Sequence, residues 1–329
     1  MIEYPKLYIG PMSKNIVDSV CENKDENIGL IPSRRQIEFD GGYVNDWKTK
    51  EFSSYVKSAN PSVLIQRDHG GPMQGSLDDT GLVSFRQDIL SGFDLLHIDP
   101  WKKTKDIEEG INETLKLIEY CLSINENSKF EIGTEQSIRE FSPTELDYIF
   151  DRIKAGLGGK FNNVVYGEIQ GGTGIVGTKN NGVFQEKRFK QMIGVCKKHN
   201  LLSKEHNGDY LSPLEIRTRF NLGLDAINIA PEFGFIETRT IMEEIYNSQD
   251  EYLFNSFFDL CYSSEKWKKW VNNDFKLTSF NKHAIIRISG HYVFSSPEFC
   301  DIKNNFFGID DKIKNNLSNR MKEILCEIK

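Results

Sequence analysis

The residues best suited to chemistry lie in one short run, Asp68-His69-Gly70-Gly71-Pro72. An imidazole lone pair holds zinc well, and a carboxylate beside it can take and give a proton. Neighbouring side chains on a strand point to opposite faces, so these two share a site only where the chain turns past a strand end. The two glycines and Pro72 suit a tight turn or a close approach of backbone to a ligand. A second imidazole, His206, stands in Lys204-Glu205-His206-Asn207-Gly208-Asp209. Two histidines and one or two carboxylates suit Zn²⁺ with an open position, and Glu131, Glu135, Glu168 and Gln170 compete for the remaining ligand places. A primary amide is the weaker zinc ligand. Gln170 therefore suits a substrate oxygen, with Gly171 and Gly172 offering backbone N–H groups.

The other histidines read differently. His97 falls inside an apolar run and suits a satisfied core position. His199 follows Lys197 and Lys198 and reads as a solvated helix end. His283 and His291 fall near the C-terminus. Arg34, Arg35, Arg67, Lys102, Lys103, Arg139 and Lys204 are the candidates for an anionic substrate group. The Gly171-Gly172-Thr173-Gly174 run lacks the Lys-Ser/Thr of a phosphate loop, and no G-x-S-x-G elbow occurs.

These groups need a frame that brings distant segments to one rim. Short apolar runs recur at Lys6–Gly10, Ile28–Ile31, Ser62–Gln66, Asp94–Ile98, Lys129–Gly133, Asn163–Ile169, Leu201–Ser203 and Ala226–Ala230. Segments with helical periodicity separate them, as at Ile107, Ile111, Leu115, Ile118 and Cys121. Ser142-Pro143 marks a helix start. Eight strand–helix units in about 250 residues predict a (β/α)8 TIM barrel, with function at the C-terminal strand ends. Ser13, Arg34, Asp68, His69, Asp99, Glu135, Gln170 and His206 fall at those ends. No G-x-G-x-x-G follows the first run, which disfavours a dinucleotide-binding sheet. The rhythm stops near residue 248. The boundaries are therefore a barrel over 1–247 and a mostly helical extension over 248–329. Trp267, Trp270, Phe275 and Phe280 are expected to pack on the barrel, and Asp310 to Lys329 reads as an amphipathic helix.

Composition narrows the class. The chain has 329 residues, 12% aromatic, with 41 basic and 48 acidic side chains and a net charge of −7. That balance disfavours a sequence-independent nucleic-acid binder, and the aromatic content disfavours disorder. No apolar run reaches membrane-spanning length, and the N-terminus lacks a signal pattern. Six scattered cysteines without C-x-x-C read as reduced thiols, which suits a cytoplasmic location.

The ordered set Ser33-Arg34-Arg35-Gln36 with Phe39-Asp40-Gly41-Gly42-Tyr43, Asp68–Pro72, His97-Ile98-Asp99, Ile132–Glu135, His206 with Asp209-Tyr210, and Pro231-Glu232-Phe233 resembles the tagatose-bisphosphate aldolase accessory-subunit family. That family also carries the name tagatose-6-phosphate kinase and is related to class II fructose-type aldolases. The resemblance implies a TIM barrel in which Asp68 moves a proton and His69 and His206 hold zinc. A third zinc histidine of those aldolases is replaced by Gln170. Their Asn-x-x-Thr phosphate motif reads Asn228-Ile229-Ala230-Pro231, without the hydroxyl.

The combined expectation is a metal-dependent aldol-type enzyme on a ketose or ketose phosphate, cleaving or forming a C–C bond or epimerising C4. Asp68, Glu135 and Asp99 would be catalytic, and His69, His206 and Glu131 would bind Zn²⁺ or another divalent ion such as Mn²⁺. Ser13, Arg34, Gln170, Gly171, Gly172, Gly208, Asp209 and Asn228 would contact substrate. The alternative is a non-catalytic accessory subunit that stabilises a separate aldolase. Homo-oligomers or an aldolase partner are the expected assemblies.

Overall fold

The computed structural model describes residues 3–23, 27–76, 79–271, 275–278 and 281–328. Its strands are β1 (Leu7–Ile9), β2 (Ile28–Leu30), β3 (Gln66–Gly70), β4 (Leu95–Ile98), β5 (Phe130–Ile132), β6 (Val164–Ile169), β7 (Thr173–Val176), β8 (Lys179–Gly182), β9 (Leu202–Glu205) and β10 (Ala226–Ile229). Eight of them pair in parallel in the order β2-β1-β10-β9-β6-β5-β4-β3. Parallel bridges Leu30–Ile65 and Ser33–Asp68 join β2 to β3 and bring the ring together. This is a (β/α)8 TIM barrel. β7 and β8 form a separate antiparallel hairpin at the rim, which the sequence reading did not anticipate.

Helices α1 (Lys14–Glu22), α2 (Thr49–Ala59), α3 (Leu82–Leu90), α4 (Ile107–Ile124), α5 (Pro143–Leu157), α6 (Glu186–Lys198), α7 (Pro213–Asn221) and α8 (Pro231–Ser248) alternate with the barrel strands. Local chemistry sets several of their starts. Ser142 and Ser212 each form a capping box with the glutamate three residues on, and Pro143 and Pro213 follow them directly. The Asp106 carboxylate accepts from the Glu109 N–H at the start of α4.

Beyond α8 come α9 (Glu251–Ser263), a short 3₁₀ turn at Lys266–Trp270, α10 (Lys282–Ser289), α11 (Pro297–Lys303) and α12 (Ile309–Glu327). α12 returns across the barrel and packs on α1, α7 and α8. It buries Ile309, Ile313, Leu317, Met321, Ile324 and Leu325. Each such side chain stabilises the fold by about 1.5–3 kcal/mol. Trp267 is also buried, Phe275 is partly buried against the core, and Phe280 lies outside the described residues.

The large apolar core lies between strands and helices. The barrel lumen holds a smaller apolar cluster of Tyr8, Ile31, Leu95, Tyr166 and Ala226. Strand alternation then turns polar residues inward above it. Two residues after Leu95 comes His97, after Tyr166 comes Glu168, and after Ala226 comes Asn228. Lys204 on β9 lies 3.8 Å over the Tyr8 ring and 4.0 Å over the Tyr166 ring. The outward neighbours are tied to the helices instead. Arg67 pairs with Asp88 of α3, and Glu205 with Arg219 of α7, with all four side chains buried.

β3 departs from the expected strand. Pairing resumes at Gln66, and the strand runs on through Asp68 and His69 to Gly70. Arg67 pairs with Leu96 and Gly70 with Ile98, so two residues of β3 face the single His97 of β4. This is a β-bulge, and His69 takes φ 40° within it. The bulge lets Asp68 and His69 turn toward the same space, which a regular strand forbids.

Candidate active site

His69 and His206 are held in the same way from opposite sides of the lumen. His69 Nδ1 is 2.6 Å from Asp99 Oδ2. That aspartate is fixed in turn by Gln74 Nε2 at 2.9 Å, Thr134 Oγ1 at 3.2 Å and the Trp101 N–H. His206 Nε2 is 2.6 Å from Glu131 Oε1. Lys204 Nζ donates to Glu131 Oε2 at 2.7 Å, and Gln66 donates to the same oxygen. A carboxylate on the outer nitrogen of a histidine fixes the tautomer and leaves the inner lone pair free.

The inner nitrogens converge. His206 Nδ1 lies 3.3 Å from Asp68 Oδ1 and 3.8 Å from Glu168 Oε1. His69 Nε2 lies 3.8 Å from the same Asp68 oxygen. Glu168 is buried, and neither of its carboxylate oxygens has a hydrogen-bond partner. An unpartnered buried carboxylate is costly unless a cation joins it. His97 has other work. Its Nδ1 accepts the His69 N–H freed by the bulge, and its Nε2 faces Gly133 O at 3.2 Å. Nε2 is also 3.2 Å from Glu168 Oε2, but no hydrogen bond forms there.

The electrostatics follow from this packing. Burial pushes Asp68 up, but His69, His206 and His97 outweigh it and bring the carboxyl down to about 2. Burial pushes His69 down, whereas Asp68, Asp99 and Glu135 carry it up to about 10. His206 is raised by Glu168 and Glu131 against the same burial effect. Glu131 is held well below the usual range despite burial, chiefly by Lys204 and His206. Lys204 pairs with Glu131 and also feels the carboxylates of Asp68 and Glu168, while Asp99 pairs with His69. A divalent cation would take the place of the protons that these carboxylates hold on the inner imidazole nitrogens, leaving the rings neutral and the lumen charge offset. The donors therefore fit Zn²⁺ or Mn²⁺: Asp68, His69, His97 and His206 bring ligand atoms within 4.8 Å of one another, and so do His97, Glu131, Glu168 and His206.

The expected site residues divide into three groups. Asp68, His69, Glu135, His206, Asp209 and Asn228 line one cavity of about 250 Å³ at the barrel mouth. Asn228 Oδ1 is buried there without a partner. Asp209 Oδ1 caps α8, accepting from the Ala230 and Glu232 N–H groups at 3.0 and 2.7 Å. Asp99 and Glu131 lie behind the two histidines rather than at the cavity. Glu131 has both oxygens hydrogen-bonded, to His206 and to Lys204 and Gln66, and it stands in one group of possible ligands with His97, Glu168 and His206.

Ser13, Arg34, Gln170, Gly171, Gly172 and Gly208 do not reach the cavity. The Ser13 hydroxyl donates to Glu237 and caps α1. Arg34 is 3% exposed and pairs with Glu38 at 2.5 Å and Asp79 at 2.7 Å. Gln170 accepts from Phe141 N–H and Arg188 and donates to Thr134 O and Arg139 O, so its amide is fully used. Gly171 packs against Glu205, Gly172 with φ 88° starts the turn into the hairpin, and Gly208 allows close packing on Ile227. His199, expected at a solvated end, is buried, and its Nε2 lies 2.8 Å from Asp147 Oδ1.

Sequence reasoning placed Lys204 among anion candidates, and it missed Gln66, Gln74 and Thr134. Counting back two residues from His206 and Asp68 points to Lys204 and Gln66 as lumen residues. Lys269, Trp270 and Tyr292 of the extension also line the cavity. No local pattern signals them, because only tertiary packing brings the extension to the mouth.

No family model and no curated sequence matches the chain. Solved structures do resemble its fold. A protein named as a probable tagatose 6 phosphate kinase from Sinorhizobium meliloti 1021 has TM-score 0.75 and 13% identity, covering 98% of this chain and 100% of its own. The fructose-bisphosphate aldolase of Campylobacter jejuni has TM-score 0.60 and 11% identity, over 98% and 90% of the two chains. The fructuronate-tagaturonate epimerase of Cohnella laeviribosi has TM-score 0.59 and 10% identity, over 98% and 79%. At these identities the likeness is one of fold. No described helix is long and apolar enough to cross a membrane.

Proposed function

We propose that the chain is a divalent-metal-dependent enzyme of aldol type acting on a ketose or ketose phosphate. One observation carries the reading. His69 and His206 each have a carboxylate on the outer nitrogen, and their inner nitrogens face Asp68 and the unpartnered Glu168. Two imidazoles oriented in this way favour a catalytic chain over a purely accessory subunit. His69, His206 and Glu168 would hold the ion. When bound, a divalent ion polarises a carbonyl oxygen and stabilises negative charge developing there.

Asp68 is the base. Its carboxylate is ionised throughout the neutral range and lies at the cavity wall. It takes the proton of the hydroxyl two carbons from the ketose carbonyl carbon. The O–H electrons become the new aldehyde C=O, and the adjacent C–C bond breaks. That bond's electrons pass to the ketose fragment as an enolate. For lyase turnover, a solvent proton relayed through Glu135 at the mouth reaches the carbanion carbon, and Asp68 releases the proton it took to solvent. For epimerisation, the aldehyde turns over, the C–C bond re-forms on its other face and Asp68 returns the proton.

The test is metal content followed by product analysis. Purified chain exposed to Zn²⁺ or Mn²⁺ is expected to hold about one ion, and His69→Ala and His206→Ala to lose it. Free and phosphorylated ketoses are then screened for aldehyde release and for epimer formation. Absence of bound metal in the wild type, or full retention in both variants, would end this reading. A chain that binds metal yet turns over only with a separate aldolase subunit would return it to the accessory role.

A further inference from the structure

The cavity is polarised. Carboxylates and imidazoles form its floor, while three cations stand around its outer part. Arg35 comes from the segment after β2, Lys102 from the segment after β4 and Lys269 from the 3₁₀ turn of the extension. All three line the cavity that Asp68 and His206 also line. Among nearby cations, Arg34 is matched by Glu38 and Asp79 and Lys268 by Glu265, whereas Lys266 has no ion pair among the described residues. Arg35, Lys102 and Lys269 have no ion pair at contact distance among the described residues. The carboxylates that act on them from within the cavity are Glu135, Asp99 and Asp68 on Lys102, and Glu135 on Lys269.

The three positive groups also repel one another. Lys269 is exposed at the rim, and partial desolvation of its ammonium, then Arg35, Lys266 and Lys102, bring it down to about 8. Desolvation and Arg35 lower Lys102 in the same way. Lys269 is steadied by two rings, at 4.4 Å over Trp270 and 5.1 Å over Tyr292, both of which line the cavity. Like charges gathered without a counterion, on a wall facing a reactive floor, are the arrangement that an incoming anion relieves.

We infer that Arg35, Lys102 and Lys269 form an anion subsite that holds the terminal phosphate or carboxylate of the sugar whose carbonyl end lies at the floor. The substrate assignment rests on the aldol reading above; the anion subsite itself does not. The guanidinium offers a planar fork to either oxyanion, and the two ammonium groups add point charges. The subsite also gives the extension a function, because the barrel alone would supply only two of the three cations.

The test measures binding of inorganic phosphate and of gluconate, a sugar carboxylate, to the full-length chain by calorimetry. The variants are Arg35→Gln, Lys102→Gln and Lys269→Gln. Lys160→Gln, on the exposed turn before β6, is the control, and metal content is read on every sample. One equivalent of anion is expected to bind the wild type and to weaken with salt. Each subsite variant should lose about tenfold or more in affinity, with metal content and Lys160→Gln unchanged. Tighter phosphate assigns a phosphate ester, and tighter gluconate assigns a sugar acid. Failure of both anions to bind, or binding that all three variants leave intact, overturns the subsite. Loss of metal binding in the wild type with the anion result intact overturns the aldol reading and leaves the subsite standing.

Discussion

Two buried carboxylate clusters lie on either side of the barrel wall, and their protons behave in opposite ways. In the lumen, Asp68 is brought down to about 2 and Glu131 well below its ordinary range. Behind the wall, where α1, α8 and α12 meet, Glu237 is pushed up to about 7. Burial raises all three. The difference lies in the partners. Glu131 faces the Lys204 ammonium and the His206 ring, and Asp68 faces two imidazoles. Glu237 accepts only from the neutral Ser13 hydroxyl and Asn15 amide, with Lys303 weaker and Asp310 opposing. Depth alone therefore does not mark a reactive carboxylate. The lumen group stays ionised because imidazoles surround it, whereas the Glu237 group holds its proton as a structural joint.

Four experiments would break or sharpen that contrast. The largest effect is expected at Asp68. Asp68→Asn keeps the shape and removes proton transfer, so turnover should fall about 10²- to 10⁴-fold, with bound metal within about twofold. Near-normal turnover would remove Asp68 as the base, and loss of the metal would make it a ligand. Next is Lys204→Met, which strips the buried Glu131 of its ammonium. Breaking a buried pair in this way costs about 3–5 kcal/mol, read from denaturant unfolding. A loss under about 1 kcal/mol would show that the lumen charges are not interdependent.

Glu237 makes the third test through pH. Its folded pKa of about 7 lies above the usual carboxylate value of 4.5. The native state thus holds the proton more tightly than the unfolded chain. Stability from this group is complete below about pH 4.5 and is lost as pH rises through 7, by about 3 kcal/mol on the 1.36 kcal/mol per unit scale. Glu237→Gln should flatten the unfolding free energy between pH 5 and 8. An unchanged slope would mean that Glu237 ionises as freely as the lumen acids. The smallest effect is expected for Asp99→Asn, which among the two oriented histidines touches only His69, at its outer nitrogen. Metal affinity should weaken about 10- to 100-fold without loss of the site. No change by metal titration would show that the paired carboxylate does not orient the ring.

The sequence alone carried the architecture. Eight apolar runs separated by helical periodicity leave few ways to cover both faces of every strand, and a parallel barrel with an outer helix ring is one of them. The same pattern put Asp68, His69 and His206 at one rim, because inward phase repeats every second residue and strand ends share one face of the barrel. Three decisions belonged to the tertiary structure. Whether Asp68 and His69 could face one space depended on a bulge made by pairing with β4, which strand β3 cannot declare by itself. Which glutamate stays free for a cation depended on cross-lumen partners: Glu131 met Lys204 and His206, and Glu168 met no hydrogen-bond donor. Whether a polar residue at a strand end faces substrate or the protein was equally non-local. Gln170 was claimed by Phe141 and Arg188, Ser13 by Glu237, and the open places at the mouth went to Lys269 and Trp270 from more than 30 residues beyond the last barrel strand. Hydrogen-bond donors and charges choose their partners by distance in space, and periodicity along the chain records only which face a residue occupies.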